Sequence, residues 1–205
     1  MLAGITAHAC QIKPVQAQGV KAPVEGVIVQ AFTCKDAEGE HLFVESRQAG
    51  PSAQGKAAPA ELSFYKFTTS GAAYIKRWQA RDFAPTDERS ASSARSARAP
   101  RTDRFIVRDV DGDGVVEAFI SYTLPAQAPN PDDGKLLVYY KDRKFAIRGA
   151  VAQGPGDFGS RTLDAGFSVL PAPVQSYALS LWDSVALPKS LNATSGFNIT
   201  QAPEH

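Results

Sequence analysis

The chain has 205 residues, long enough to bury a real core and short enough for one domain with a tail. Its 22 Lys and Arg against 21 Asp and Glu leave a formal charge of +1, so no global field draws it to nucleic acid or to an anionic membrane surface. No apolar run approaches the roughly 20 residues of a membrane span. Met1 to Ala9 is too short for a complete signal peptide, so either the protein is cytosolic or its targeting segment is not part of this sequence.

Residues 1–26 read as an N-terminal arm. From Gln11 to Gly26 the chain is rich in Pro, Gln, Ala and Gly and holds no period. The only cysteines are Cys10 and Cys34, too few for a four-ligand zinc site. A disulfide tying the arm to the first strand is the preferred reading and implies an oxidising compartment. The alternative is two unrelated thiols.

Residues 27–190 read as a single β-rich domain. Val27–Cys34 alternates like a strand, with His41–Ser46 as its hairpin partner. Residues 47–60 read as a loop by composition. Glu61–Thr69 is a strand, followed by Ser70-Gly71-Ala72-Ala73-Tyr74 and the strand-like Ile75–Phe83. Residues 84–104 carry Arg89, Arg95, Arg98, Arg101 and Arg104 among Ser, Ala and Pro, which predicts a mobile loop. No aromatic residues are interleaved there for base stacking, so no nucleic-acid partner is expected. Lys135–Lys141 and Lys144–Val151 form a hairpin across Asp142-Arg143, and Gly149–Gly159 is a turn without phosphate-loop spacing. Tyr177, Leu181, Trp182 and Val185 recur at helical spacing, which predicts a helix over 176–187 stopped by Pro188. Residues 191–205 read as a C-terminal tail.

Between two alternating segments lies Asp109-Val110-Asp111-Gly112-Asp113-Gly114-Val115-Val116-Glu117. Aspartates at every second position with glycine at the sixth suit a hard cation such as Ca²⁺, which takes oxygen ligands around a sharp turn. Counted from Asp109, Ile120 falls where an EF-hand ends in a bidentate glutamate, so this is not a complete EF-hand. The run resembles the shortened Asp-x-Asp-x-Asp-Gly-x-x-Glu loop of calcium-binding blades in integrin-like repeat proteins. That resemblance implies a structural Ca²⁺ held by Asp109, Asp111, Asp113, the Val115 carbonyl and Glu117. The alternative is an Asp/Gly-rich turn whose carboxylates are merely solvated. Such an incomplete loop should bind in the roughly 10⁻⁴ to 10⁻³ M range of extracellular modules, which places it outside the cytosol. The expected architecture is all-β, either propeller-like or a pair of packed antiparallel sheets, with this EF-hand-like loop between strands and one C-terminal helix.

Catalytic constellations are scarce. His8, His41 and His205 lie in the arm, a strand and the tail, and the paired carboxylates are Asp132-Asp133 and the acidic loop. No enzyme is expected.

The runs VRDVDGDGVVEAFISYTL and KLLVYYKDRKFAIRG, taken with Ser70-Gly71-Ala72-Ala73-Tyr74, resemble the periplasmic lysozyme inhibitors, whose signature loop is Ser-Gly-x-x-Tyr. Together these blocks look like the Xanthomonas immunity lipoproteins that protect against a lysozyme-like effector of a type IV secretion system. The resemblance covers about half the chain in scattered blocks. It implies a periplasmic protein, lipid-anchored to the outer membrane, that plugs the active site of a peptidoglycan hydrolase with Ser70, Gly71 and Tyr74. Lys76 and Arg77 would add charge complementarity at the rim. The families' second motif, roughly Tyr-x-x-x-Thr-Lys-Gly, is represented only by Tyr140 and Arg148-Gly149, with Arg148 as the matching basic residue. A carbohydrate-binding envelope module that uses the calcium loop structurally is the alternative function, and a hydrolase with an unrecognised site is a third.

Overall fold

A computed structural model describes residues 10–53, 56–83, 100–125, 130–152, 154, 157 and 159–186. It contains ten strands: β1 (Lys13–Pro14), β2 (Val27–Asp36), β3 (Gly39–Ala53), β4 (Lys56–Ser70), β5 (Ala73–Phe83), β6 (Arg101–Arg108), β7 (Glu117–Leu124), β8 (Asp133–Tyr140), β9 (Arg143–Ala150) and β10 (Thr162–Leu163). A helix, α1, spans Ala172–Ala186. The first five strands form one antiparallel sheet in sequence order and the last five a second, so each half of the chain meanders into its own sheet. Of the two architectures expected, packed sheets form and a propeller does not.

The layering follows from which faces are apolar. Phe32, Phe43, Leu62, Phe64, Trp78 and Ala80 of the first sheet meet Val107, Ala118, Ile120, Tyr122, Leu137 and Tyr139 of the second in one buried cluster. Aromatic contacts fix how the sheets lie on each other. Trp78 of β5 stacks on Tyr139 of β8 with centroids 3.8 Å apart, and Phe105 of β6 meets Phe32 at 5.1 Å and Phe64 at 5.4 Å. The outer face of the second sheet buries Phe119, Leu136, Val138 and Ile147 against Val174, Ala178 and Trp182 of α1. β7 is therefore buried at every position, because both of its faces are covered.

The outer face of the first sheet is covered by the N-terminal arm. Val15, Val20, Ala22 and Val24 lie over Ala31, Leu42, Val44, Tyr65 and Phe67. The arm is held at its start by the disulfide between Cys10 and Cys34, whose Cα atoms are 5.5 Å apart. At its end the Ser46 hydroxyl donates to the Glu25 carbonyl at 2.7 Å, and Arg81 pairs with the Glu25 carboxylate at 2.6 Å.

Three expectations are corrected. Of residues 47–60, read as a loop from their Gly, Pro and Ser content, 47–53 and 56–60 are instead taken up by the distal parts of β3 and β4, where Gln48 pairs with Glu61 and Gly50 with Ala58. Register shifts between Gln48 and Ala53 show how that composition is tolerated, since bulges absorb residues a regular ladder would not. Of the expected loop 84–104, residues 84–99 lie outside the described residues, while Arg101 and Arg104 belong to β6. The helix begins four residues before the predicted start. Pro173 sits in the first turn of α1, where a missing N–H removes no helical hydrogen bond. The parts of the arm and tail at 1–9 and 191–205, and the stop at Pro188, lie outside the described residues.

Candidate functional site

The carboxylates of the acidic loop converge. One oxygen from each of Asp109, Asp111, Asp113 and Glu117 lies within 4.8 Å of the others, so the group could hold a metal ion. The backbone enforces this. Gly112 (φ +77°) and Gly114 (φ +86°) occupy the left-handed region, and their amides donate to the two oxygens of Asp109 at 2.7 and 2.9 Å. The Val115 amide donates to Asp113 at 2.9 Å and the Val110 amide to Glu117 at 2.8 Å. Glu117, at the first position of β7, is 1% exposed. Burial, together with the nearby Asp111, Asp109 and Asp113, pushes its carboxyl up to about 8. The donor set is oxygen only and strongly anionic, as a hard cation requires.

Two turns brace the loop. The β2–β3 turn docks on it: the Ala37 amide donates to the Gly114 carbonyl at 2.9 Å, and the Val116 amide donates to Asp36 at 3.1 Å. The other Asp36 oxygen accepts from the ring of the fully buried His41 at 2.9 Å, and His41 reaches the Thr68 hydroxyl at 3.2 Å through its second nitrogen. Burial works against the Asp36 charge, but His41 and the Val116 amide outweigh it and hold the carboxyl below its ordinary value. The second brace is the β8–β9 turn at Lys141-Asp142, one residue earlier than the sequence predicts. Both residues have positive φ, 48° and 59°, as a two-residue hairpin turn of the primed type needs. Lys141 pairs with Asp113 at 3.0 Å. Asp142 crosses to the first sheet, taking Lys66 at 3.0 Å and Arg77 at 2.7 Å.

The Ser-Gly-x-x-Tyr run is the exposed tip of the β4–β5 hairpin, at the same end of the sandwich. Gly71 adopts φ +60° with open space around it, so the turn conformation and not packing demands the glycine. Ser70 pairs with Ala73 and Thr69 with Tyr74, and cross-strand partners share a face. Ser70 and Tyr74 therefore stand on opposite faces of the tip. Tyr74 is half-buried edge-on against Phe67 at 6.3 Å, which fixes its ring. Ser70 is exposed.

Of the basic residues expected beside the tip, Lys76 is exposed there and bonded to Gln79, and Arg77 is held by Asp142. Arg148 is elsewhere. It lies five residues along β9 from the braced turn, on the order of 17 Å at strand rise, and pairs with Asp164. Its neighbour Gly149 has a packing reason to be glycine, because a Cβ there would sit 1.8 Å from the Ser160 carbonyl oxygen. The structure thus brings the acidic loop, Lys76, Arg77 and the tip to one end, and leaves Arg148 out.

The sequence reading overlooked Asp36, His41, Lys66 and Asp142. A signal for Lys66 was present: the alternation Leu62, Phe64, Lys66 places a lysine on the inward face. Comparison with protein families, with curated proteins and with solved structures finds no match for this chain.

Proposed function

We propose that this protein is a periplasmic immunity protein that blocks a lysozyme-like peptidoglycan hydrolase by inserting the Ser70–Tyr74 turn into its active site. One observation carries the reading: a narrow, exposed hairpin tip presents a hydroxyl on each face. A lysozyme cleft presents one protonated and one ionised carboxyl group across the sugar-binding groove. A tip entering edge-on sets Ser70 toward one wall and Tyr74 toward the other, each donating to a carboxyl oxygen, while Ala72 and Ala73 avoid clashes. The protein acts by occupying the cleft, not by chemistry of its own. The carbohydrate-binding alternative has less support, since Phe83 is the one aromatic among the exposed large hydrophobic side chains of the described residues.

Inhibition of cell-wall lysis by purified lysozyme-like hydrolases tests the reading. The Ser70→Ala, Tyr74→Ala double variant should inhibit about 100-fold less well, the loss of two hydrogen bonds to charged or buried partners. Undiminished inhibition would sink the assignment of the tip.

The ion belongs to the same reading. The loop is proposed to hold Ca²⁺ through Asp109, Asp111, Asp113, the Val115 carbonyl and Glu117, as a staple between β6 and β7. The Cys10–Cys34 disulfide and a weak calcium loop both suit an exported protein. Millimolar Ca²⁺ should raise the melting temperature by a few degrees over chelator, corresponding to about 1–2 kcal/mol. Glu117→Gln should lose that increment, yet melt no lower than wild type in chelator near neutral pH, because without an ion the buried carboxyl, pushed up to about 8, is already largely neutral and the amide takes its place. A wild-type melt indifferent to Ca²⁺ would remove the ion from the account.

A further inference from the structure

Ile75 is 54% exposed although it occupies an inward-facing position. It pairs with Thr68, whose hydroxyl is bonded to the fully buried His41 between the sheets, so Ile75 shares the face that elsewhere makes the core. Three residues along β5, Trp78 lies on that same face, is 7% exposed and stacks on Tyr139. The facing sheet explains the difference. It ends at the Lys141-Asp142 turn, where Asp142 closes onto Lys66 and Arg77, and the β4–β5 hairpin continues beyond that point. An inward-facing isoleucine is left with no sheet opposite it.

We propose that Ile75 is the affinity-setting apolar contact of the tip, covered in the complex by the lip of the hydrolase's substrate cleft. The inference rests on the inhibitory reading above and names a further contact for it. The occupant follows from continuity and charge. Ile75 adjoins Tyr74 directly and is followed in the chain by the exposed Lys76, bonded to the neutral Gln79, so a cation that complements a carboxylate-bearing cleft stands next to the apolar residue while Arg77 stays with Asp142. Apolar contact at the centre with charge at the rim is the arrangement that sets affinity in inhibitor interfaces.

The test uses the full chain against a panel of purified lysozyme-type muramidases acting on cell walls. Ile75→Asp should weaken inhibition by about 10-fold or more, and Ile75→Ala by less, while both lower the melting temperature little because the residue is already 54% exposed. If the Ser70→Ala, Tyr74→Ala variant fails but Ile75→Asp inhibits like wild type, the role of Ile75 is overturned and the tip stands. If wild type inhibits no muramidase, both fall. Sedimentation gives the third arm: a wild-type dimer abolished by Ile75→Asp, with inhibition unchanged, would assign the side chain to a second copy of this chain and overturn the proposal.

Discussion

Asp142→Ala is expected to destabilise the protein by about 3–5 kcal/mol, the cost of leaving a buried charge without its partner. The charge is Lys66, 3% exposed and surrounded by Phe43, Trp78 and Tyr139 at the inner end of the sandwich. Denaturant unfolding of the single variant should show the loss. Restoring an apolar match with Lys66→Met in the same chain should recover most of it, because the double variant buries no unpaired charge. Equal stability of Asp142→Ala and wild type would mean the latch contributes nothing. The pair also sets an acid limb. Burial alone would raise the Asp142 pKa, but Lys66 and Arg77 prevail and hold it below the ordinary 3.8. A depressed carboxyl contributes stability that is present above its unfolded value and disappears as pH falls through the folded one. The wild-type advantage over Asp142→Asn should therefore fade below about pH 4.

The second large effect concerns the disulfide. Cys10 and Cys34 are separated by 24 positions, and opening a loop of that size should cost about 3 kcal/mol through the freed unfolded chain. Here the local consequence matters as well. The disulfide anchors the start of the arm that covers Leu42, Val44, Tyr65 and Phe67, and only β1, two residues long, pairs beside it. Cys10→Ser with Cys34→Ser should lower the melting temperature by several degrees and make residues 10–24 the first site of limited proteolysis. Unchanged melting and unchanged cleavage would show that the apolar contacts alone hold the arm.

Much of this molecule was legible from spacing. The alternation of Ala118, Ile120 and Tyr122 with Glu117, Phe119 and Ser121 identified a strand, though not that both of its faces are covered. The aspartate spacing identified a loop whose carboxylates do converge. What escaped were features set by contacts distant in sequence. The Gly, Pro and Ser of residues 47–60 read as loop because composition does not reveal that a neighbouring strand supplies the pairing. The first turn of the helix escaped because the spacing of Tyr177, Leu181, Trp182 and Val185 says nothing of where the helix begins. Arg148-Gly149 read as a recognition pair, whereas Gly149 answers to the Ser160 carbonyl packed against it. Asp142 could not be seen as a partner of Lys66, 76 positions away, until the two sheets were laid face to face.

The order of strands within each sheet matches their order in the chain, which has a consequence for biogenesis. Pairing proceeds hairpin by hairpin among near neighbours, so little chain entropy is spent on bringing remote segments together within either sheet. The distant step is the docking of one completed meander on the other. During synthesis or export the first sheet can form as soon as Phe83 has emerged, with Phe32, Phe43, Phe64 and Trp78 still in water until the second half arrives. The nascent half-sandwich is thus the species most exposed to association with other chains, and the interval between the two halves is where a holding chaperone would act.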